Sequence, residues 1–188
     1  MKAIGIVGSP RKNGNTELLT SHALKAIEEE GIDTELIRLA GLDIKPCTGC
    51  LACHDEESCP IKDDLWPIYL KMKEADAIIL STPVYFSGAT GLMRSFMERA
   101  GYVALKSGRP FAGKVGGPLV VSARSGQNAT IAQLYYWFHV LGFFIPGSTY
   151  FNMAFGRKKG EVEQDEIGMQ TAWDFAKNVA FLVKKLRA

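Results

Sequence analysis

Short apolar runs alternate with helix-periodic stretches along all 188 residues, and this alternation restricts the fold more than any other feature. Lys2–Gly8 reads as a buried strand. Thr16–Glu30 carries Leu19, Ala23 and Ile27 at helical spacing and is closed by Gly31 as a C-cap. Thr34–Leu39 is a second strand, and Asp63 and Asp64 are placed to cap a helix reaching Met72. Ala75–Ser81 is a third strand, Leu92–Ala104 a helix, Val115–Ser122 a fourth strand, Ala129–Leu141 a helix and Phe143–Tyr150 a fifth strand. The last helix aligns Met169, Ala172, Trp173, Ala176, Ala180 and Val183 on one stripe. Strands that alternate with helices demand right-handed crossovers and a parallel sheet covered on both faces. The expectation is a single α/β domain over residues 1–188, a doubly wound five-stranded parallel sheet of order 2-1-3-4-5. Such a sheet takes its ligand at the carboxyl ends of the strands, where strands 1 and 3 diverge.

Bulk properties leave room for that domain and little else. A hydrophobic content of 47% fills one core, and a formal charge of +2 has no long run of either sign. Arg157-Lys158-Lys159 is a small basic patch that reads as a solvated loop, so neither nucleic acid nor a membrane is expected as a partner. Met1 runs straight into the strand-like Ala3-Ile4-Gly5-Ile6-Val7, with no basic segment and separate apolar stretch ahead of a cleavage site. A cytoplasmic protein is the expectation.

Three loops fall at the ligand-binding edge. Gly8-Ser9-Pro10-Arg11-Lys12-Asn13-Gly14-Asn15-Thr16 follows the first strand and opens a helix. Hydroxyls at Ser9 and Thr16, amides at Asn13 and Asn15, the Arg11 guanidinium and a positive helix end all suit a phosphate. The loop is neither a P-loop nor the G-x-G-x-x-G of dinucleotide folds, and an ordinary Gly/Asn loop with an N-cap has the same composition. Ser81–Gly88, after the third strand, holds Pro83, Val84, Tyr85, Phe86 and Ser87: a shelf for a flat apolar ring, or aromatics folded into the core. Ser122–Gln127, with Arg124, is the third polar loop at this end.

The chain has 4 cysteines, Cys47, Cys50, Cys53 and Cys59, in the pattern C-x2-C-x2-C-x5-C followed by Pro60, in the loop after the second strand. Soft thiolates so clustered act together. Disulfides fit poorly without an export signal. Structural zinc sites pair two C-x2-C hooks a dozen or more residues apart, and zinc remains an alternative. A run of successive three-residue steps wraps a bulkier iron–sulfur cubane, and it resembles the ferredoxin run C-x2-C-x2-C-x3-C-P with a longer last gap. His54 is a possible substitute ligand, though a solvent-exposed loop histidine reads the same way.

Taken together, Gly8-Ser9-Pro10-Arg11…Asn15-Thr16, Thr82-Pro83-Val84-Tyr85-Phe86 and Leu92-Met93-Arg94-Ser95-Phe96-Met97-Glu98-Arg99 resemble the flavodoxin-like NAD(P)H-dependent FMN reductase superfamily. The cysteine run after the second strand is similar to that of the iron–sulfur flavoproteins of anaerobic archaea and bacteria. The resemblance implies a flavodoxin-like fold, FMN, a [4Fe–4S] cluster in a loop over residues 45–62, and a homodimer or homotetramer. Carried over, Ser9, Arg11, Asn15 and Thr16 would hold the FMN phosphate, Pro83 to Ser87 would line the isoalloxazine, and the four cysteines would ligate the cluster.

The expected function is oxidoreductase chemistry: electron transfer between a one-electron donor such as ferredoxin and a small-molecule, two-electron acceptor. His22, His54 and His139 are scattered, and no catalytic acid–base set is expected. One alternative is an NAD(P)H-dependent FMN or quinone reductase without a cluster, with Tyr85, Phe86 and Arg124 framing the nicotinamide. Another is a zinc-stapled flavin-binding module. The aromatic stretch Leu134–Phe138 through Phe143-Phe144, Tyr150-Phe151 and Phe155 reads first as core and second as an oligomer interface. Asn152–Gly168, long and mostly polar, reads as a mobile segment over a site.

Overall fold

A computed structural model describes residues 1–54 and 56–188. Five parallel strands form one sheet in the order β2-β1-β3-β4-β5, as expected. The strands are β1 (Lys2–Val7), β2 (Asp33–Arg38), β3 (Ala77–Pro83), β4 (Val115–Ser122) and β5 (Met153–Phe155). The helices are α1 (Asn15–Glu28), α2 (Leu65–Glu74), α3 (Gly91–Lys106), α4 (Gln127–Val140) and α5 (Glu166–Arg187), with 3-10 turns at Ala52–His54 and Glu161–Gln164. Every residue of β4 is buried, as are all but one in each of β1 and β3. Strands covered on both faces lose the polar–apolar alternation and read as continuous apolar runs.

Two apolar layers cover the sheet. Leu19, Ala23 and Ile27 of α1 pack with Phe175, Val179 and Val183 of α5 against one face. Met72 of α2, Phe96 and Val103 of α3 and Phe138 of α4 cover the other, and Cys53 and Cys59 lean on this second layer. Burying a side chain such as Phe175 or Phe96 stabilises the fold by roughly 1.5–3 kcal/mol.

The fifth strand departs from expectation. Of Phe143–Tyr150, Phe144 alone pairs with the sheet, in an isolated parallel bridge to Val115; the strand itself is Met153–Phe155, opposite Val120–Ser122. Pro118 explains the interruption. Gly116 N–H donates to Phe144 O at 3.0 Å and Val120 N–H to Asn152 O at 3.0 Å, so even-numbered residues of β4 point their N–H groups at β5. Residue 118 is on that same side and, being proline, has none to give. The chain leaves the edge at Pro146 and returns six residues later, at Asn152. The segment read as mobile therefore carries β5, a 3-10 turn and the first turn of α5. The aromatic stretch divides likewise: Leu134, Trp137, Phe138 and Phe143 are core, whereas Tyr136, Phe144, Tyr150, Phe151 and Phe155 are exposed. Among the described residues no helix is long and apolar enough to cross a membrane.

Candidate functional site: two cavities at the carboxyl edge of the sheet

The loop from Gly8 to Gly14 is held by neighbours on three sides. Gly8 N–H donates to Ser81 O at 2.8 Å, and Gly8 O accepts from the Thr90 hydroxyl at 2.6 Å. Thr90 is also the N-cap of α3, its hydroxyl accepting the Met93 N–H at 3.2 Å. A Cβ on Gly8 would fall 2.7 Å from that of Met93, so glycine alone allows this approach. Ser9 Oγ accepts the Arg11 N–H at 3.2 Å. The Glu17 carboxylate accepts Arg38 Nη2 at 2.7 Å and the Asn13 N–H at 2.9 Å. The Arg38 bond, helped by Asn13, outweighs burial and holds the Glu17 carboxyl below its usual range.

Residues 156–160 close the far side. Asn15 donates from Nδ2 to Lys158 O at 2.8 Å and accepts the Gly160 N–H at 2.8 Å, while Arg11 Nη1 donates to Arg157 O at 3.2 Å. Glu161 accepts the N–H groups of Arg157 and Lys158, each at 2.7 Å. A Cβ at Gly156 would fall 2.6 Å from Asn15 Nδ2 and 2.8 Å from Val162 N.

These loops enclose a cavity of about 230 Å³, and of the expected residues Ser9, Arg11, Asn15, Thr16, Pro83, Val84 and Tyr85 line it. Asn13, Phe86, Ser87 and Arg124 do not line it and are exposed. Phe86 and Ser87 have φ of 50° and 58°, between reciprocal backbone hydrogen bonds joining Tyr85 and Gly88 at 2.9 and 3.0 Å. A two-residue turn of non-glycine residues with positive φ costs energy and is retained only where its surroundings enforce it. Phe86 stands fully in solvent at its tip.

Val121, Ala123, Gly156 and Arg157 also line the cavity; Ala123 belongs to the polar loop after β4, and Gly156 and Arg157 to the segment read as lying over a site, though none was singled out as a cofactor residue. Arg157 had been assigned with its neighbours to a solvated patch; the signal available was its place after the last strand of a carboxyl-edge site. The lining thus carries two guanidinium groups, the hydroxyls of Ser9, Thr16 and Tyr85 and the start of α1, with no carboxylate. That set suits an anion, and Pro83, Val84 and Tyr85 offer an apolar wall for a flat ring. At the same edge the buried hydroxyls of Ser81 and Ser122 have no hydrogen-bond partner among the described residues.

The four cysteines are free and line a second cavity, of about 330 Å³, walled on the far side by Glu98, Arg99, Tyr102 and Val103 of α3. Cys47 and Cys50 are exposed, Cys53 and Cys59 partly buried. N–H groups already face the sulfurs: Gly49 N–H donates to Cys47 Sγ at 3.4 Å and Arg99 Nη2 to Cys59 Sγ at 3.2 Å. The Ala52 N–H, with the Thr48 hydroxyl, draws the Cys50 thiol below its usual range. Burial, reinforced by the other three cysteines, pushes Cys53 upward. Among the described residues no three His, Cys, Asp or Glu side chains converge as a single ion requires. All four cysteines line the one cavity, and a set of four thiolate donors suits an iron–sulfur cluster. His54 ends the 3-10 turn and is exposed.

One buried group anchors this loop. Arg99, 2% exposed, forms an ion pair with Asp63, and donates to Lys45 O and Ile61 O at 3.3 and 3.2 Å. Asp63 also accepts the N–H groups of Lys45 and Leu65 at 3.0 and 3.2 Å, the latter the first residue of α2; Asp64 occupies the N-cap position itself but makes no side-chain capping bond there. Burial acts to raise the Asp63 carboxyl, but Arg99 and the two N–H groups prevail and hold it low. The tie from α3 to the cysteine loop was not anticipated, because α3 is remote in sequence and Arg99 reads as an ordinary helix arginine.

Residues 1–158 match the family described as NADPH-dependent FMN reductase. An iron–sulfur flavoprotein of Methanocaldococcus jannaschii is 43% identical over 194 residues, covering 100% of both chains. One of Methanosarcina thermophila is 34% identical over 192 residues, covering 100% of this chain and 97% of that one. Among solved structures, the flavodoxin, WrbA-like protein of Agrobacterium tumefaciens superposes with a TM-score of 0.70 at 18% identity, covering 98% of both chains. The fold is flavodoxin-like, and the chain belongs to the NADPH-dependent FMN reductase family, among its iron–sulfur flavoproteins.

Proposed function

We propose that this chain is a two-centre redox protein with FMN in the cavity between the β1 and β3 loops and a [4Fe–4S] cluster on Cys47, Cys50, Cys53 and Cys59. It would pass electrons between a one-electron donor such as ferredoxin and a small-molecule, two-electron acceptor. The observation that carries the reading is that all four cysteines line one cavity, at the edge of the sheet that also holds the anion-suited cavity. When bound, FMN exchanges one or two electrons and the cluster one at a time. The chain's own residues supply placement and electrostatics. Ser9, Thr16, Arg11 and Arg157 hold the phosphate end, and Pro83, Val84 and Tyr85 exclude water from one ring face. N–H groups of Gly49, Ala52 and Arg99 stabilise negative charge on sulfur. Asn13, Phe86, Ser87 and Arg124 are exposed on the loops that supply the lining, where an acceptor would be met.

Stopped-flow mixing without air tests this. Bleaching of the flavin band by reduced ferredoxin, lost in a Cys50→Ala variant that retains FMN, is the expected result. Bleaching by NADPH that is indifferent to Cys50→Ala would instead favour a reductase acting at the flavin alone. That second reading has the exposed Phe86 and Tyr85 beside the flavin cavity in its favour. Self-association is part of the proposal. An apolar groove of about 320 Å³ between α3 and α4, bounded by Tyr102, Leu105 and Val140, adjoins the exposed Tyr136, and a second copy would cover it. Light scattering should give a dimer or tetramer.

A further inference from the structure

We infer that Arg99 is a positioning residue that sets the reduction potential of the centre held by the four cysteines. The inference rests on the cluster reading above and adds to it a specific electrostatic device. Among the described residues, Arg99 is the one cation in the lining of the cysteine cavity, which also carries Glu98. It comes from α3 rather than from the cysteine loop, and its side chain is 1% exposed. Nη2 donates to Cys59 Sγ at 3.2 Å, and the same nitrogen holds Ile61 O, two residues beyond that cysteine. Nη1 holds Lys45 O, two residues before Cys47. A single rigid fork therefore grips both ends of the cysteine run and touches a sulfur. Its Nε–H has no partner among the described residues.

A buried guanidinium is expensive, and Asp63 compensates its charge. Anchoring the loop alone does not require charge at this place, since a well-packed apolar contact is often as stable. The charge does matter for a centre whose reduced form carries one more negative charge than its oxidised form. A cation and an N–H···S bond at Cys59 favour the reduced form and raise the potential. Asp63 opposes this from the far side of the guanidinium. Removing the cation and neutralising Asp63 should consequently move the potential in opposite directions.

The experiment is an anaerobic potentiometric titration of the loaded protein, followed by the EPR signal of the reduced cluster, with the flavin couple read optically in the same samples. Arg99→Gln should lower the ratio of reduced to oxidised cluster at fixed potential by about tenfold, or about 59 mV for a one-electron couple. Arg99→Lys, which keeps the charge and loses the fork, should recover part of that shift. Asp63→Asn should raise the ratio, and the flavin couple should stay put in all three. A loaded cluster whose potential is the same in wild type, Arg99→Gln and Asp63→Asn would overturn the inference while leaving the two-centre reading intact. Should these variants not fold, wild-type protein labelled with 15N-arginine carries the test. Pulsed EPR of the reduced cluster should then show a 15N coupling from a hydrogen-bonded guanidinium, and its absence overturns the inference. A wild-type protein that takes up no iron or sulfide would sink both readings together.

Discussion

The loops after β1 and β2 leave the same edge of the sheet but are held in different ways. The first is short and braced by many modest contacts: Gly8 to β3 and α3, Glu17 to Asn13 and Arg38, and Asn15 to the strap at 156–160. The second is long, has little regular structure beyond one 3-10 turn among the described residues, and is anchored by the buried pair Arg99–Asp63 and by Glu57 to Tyr69 and Lys73 of α2, with two of its four thiols in solvent. An organic cofactor with a phosphate can bind a surface built in advance, at little ordering cost. Thiolate ligands supply much of their own ordering when they bind a metal centre, so the chain need only keep them near one another. The difference teaches where each region is vulnerable: the first loses its contacts one by one, whereas the second has one buried ion pair, Arg99–Asp63, among lighter ties such as Glu57 to Tyr69 and Lys73.

That asymmetry can be broken most forcefully at Asp63. Asp63→Ala leaves the Arg99 guanidinium buried without its counter-charge and should cost about 3–5 kcal/mol. Urea unfolding of cluster-free protein measures it, and a loss under 1 kcal/mol would mean that the lighter ties suffice to anchor the cysteine loop. A smaller effect is expected in the first region from Gly156→Val. The new side chain meets Asn15 Nδ2 and the Val162 backbone, so overpacking should cost roughly 1–3 kcal/mol and weaken FMN binding while leaving iron content unchanged. Equal loss of flavin and iron would show the two regions to be one unit.

Finer still is Ser9→Ala, which removes one hydroxyl from the anion cavity. Fluorescence quenching should report an FMN Kd raised about tenfold, worth about 1.4 kcal/mol; an unchanged Kd removes Ser9 from the phosphate site. The smallest effect concerns pH. The Glu17 carboxyl is held below its ordinary 4.5 by Arg38 and Asn13, so its stabilisation is fully present above 4.5 and is lost as pH falls through the folded value. With Arg38 half-exposed, Glu17→Gln should cost only about 1 kcal/mol at pH 7, and the gap from wild type should narrow toward pH 3. A gap that stays constant between those pH values would show that the charge contributes nothing.

Much of this architecture was legible in the residues. Val115–Ser122 runs as a strand between the expected bounds, and the strand order follows from alternation and the handedness of crossovers. The fifth strand was not legible, because three residues of mixed burial carry no period and the aromatic run before them is more strand-like. Pro118 was the missed clue, since a proline inside a central strand forces a gap on one neighbour. At the cavity between the β1 and β3 loops, Ser9, Arg11, Asn15, Thr16 and Pro83 to Tyr85 were indicated by their place after β1 and β3, whereas Gly156 and Arg157 come from the segment 152–168, which carries no motif and reads only as lying over a site. Arg99 could not be found from local pattern at all: its partners Lys45, Cys59, Ile61 and Asp63 are brought to it only by folding.

The central claim is that one chain holds two redox centres, and the most direct test is the composition of protein purified without air and reconstituted with iron, sulfide and FMN. The account predicts about four iron and four sulfide per chain together with one FMN, and a broad absorbance shoulder beside the flavin bands. One FMN with stoichiometric zinc, or with no metal at all, would contradict it.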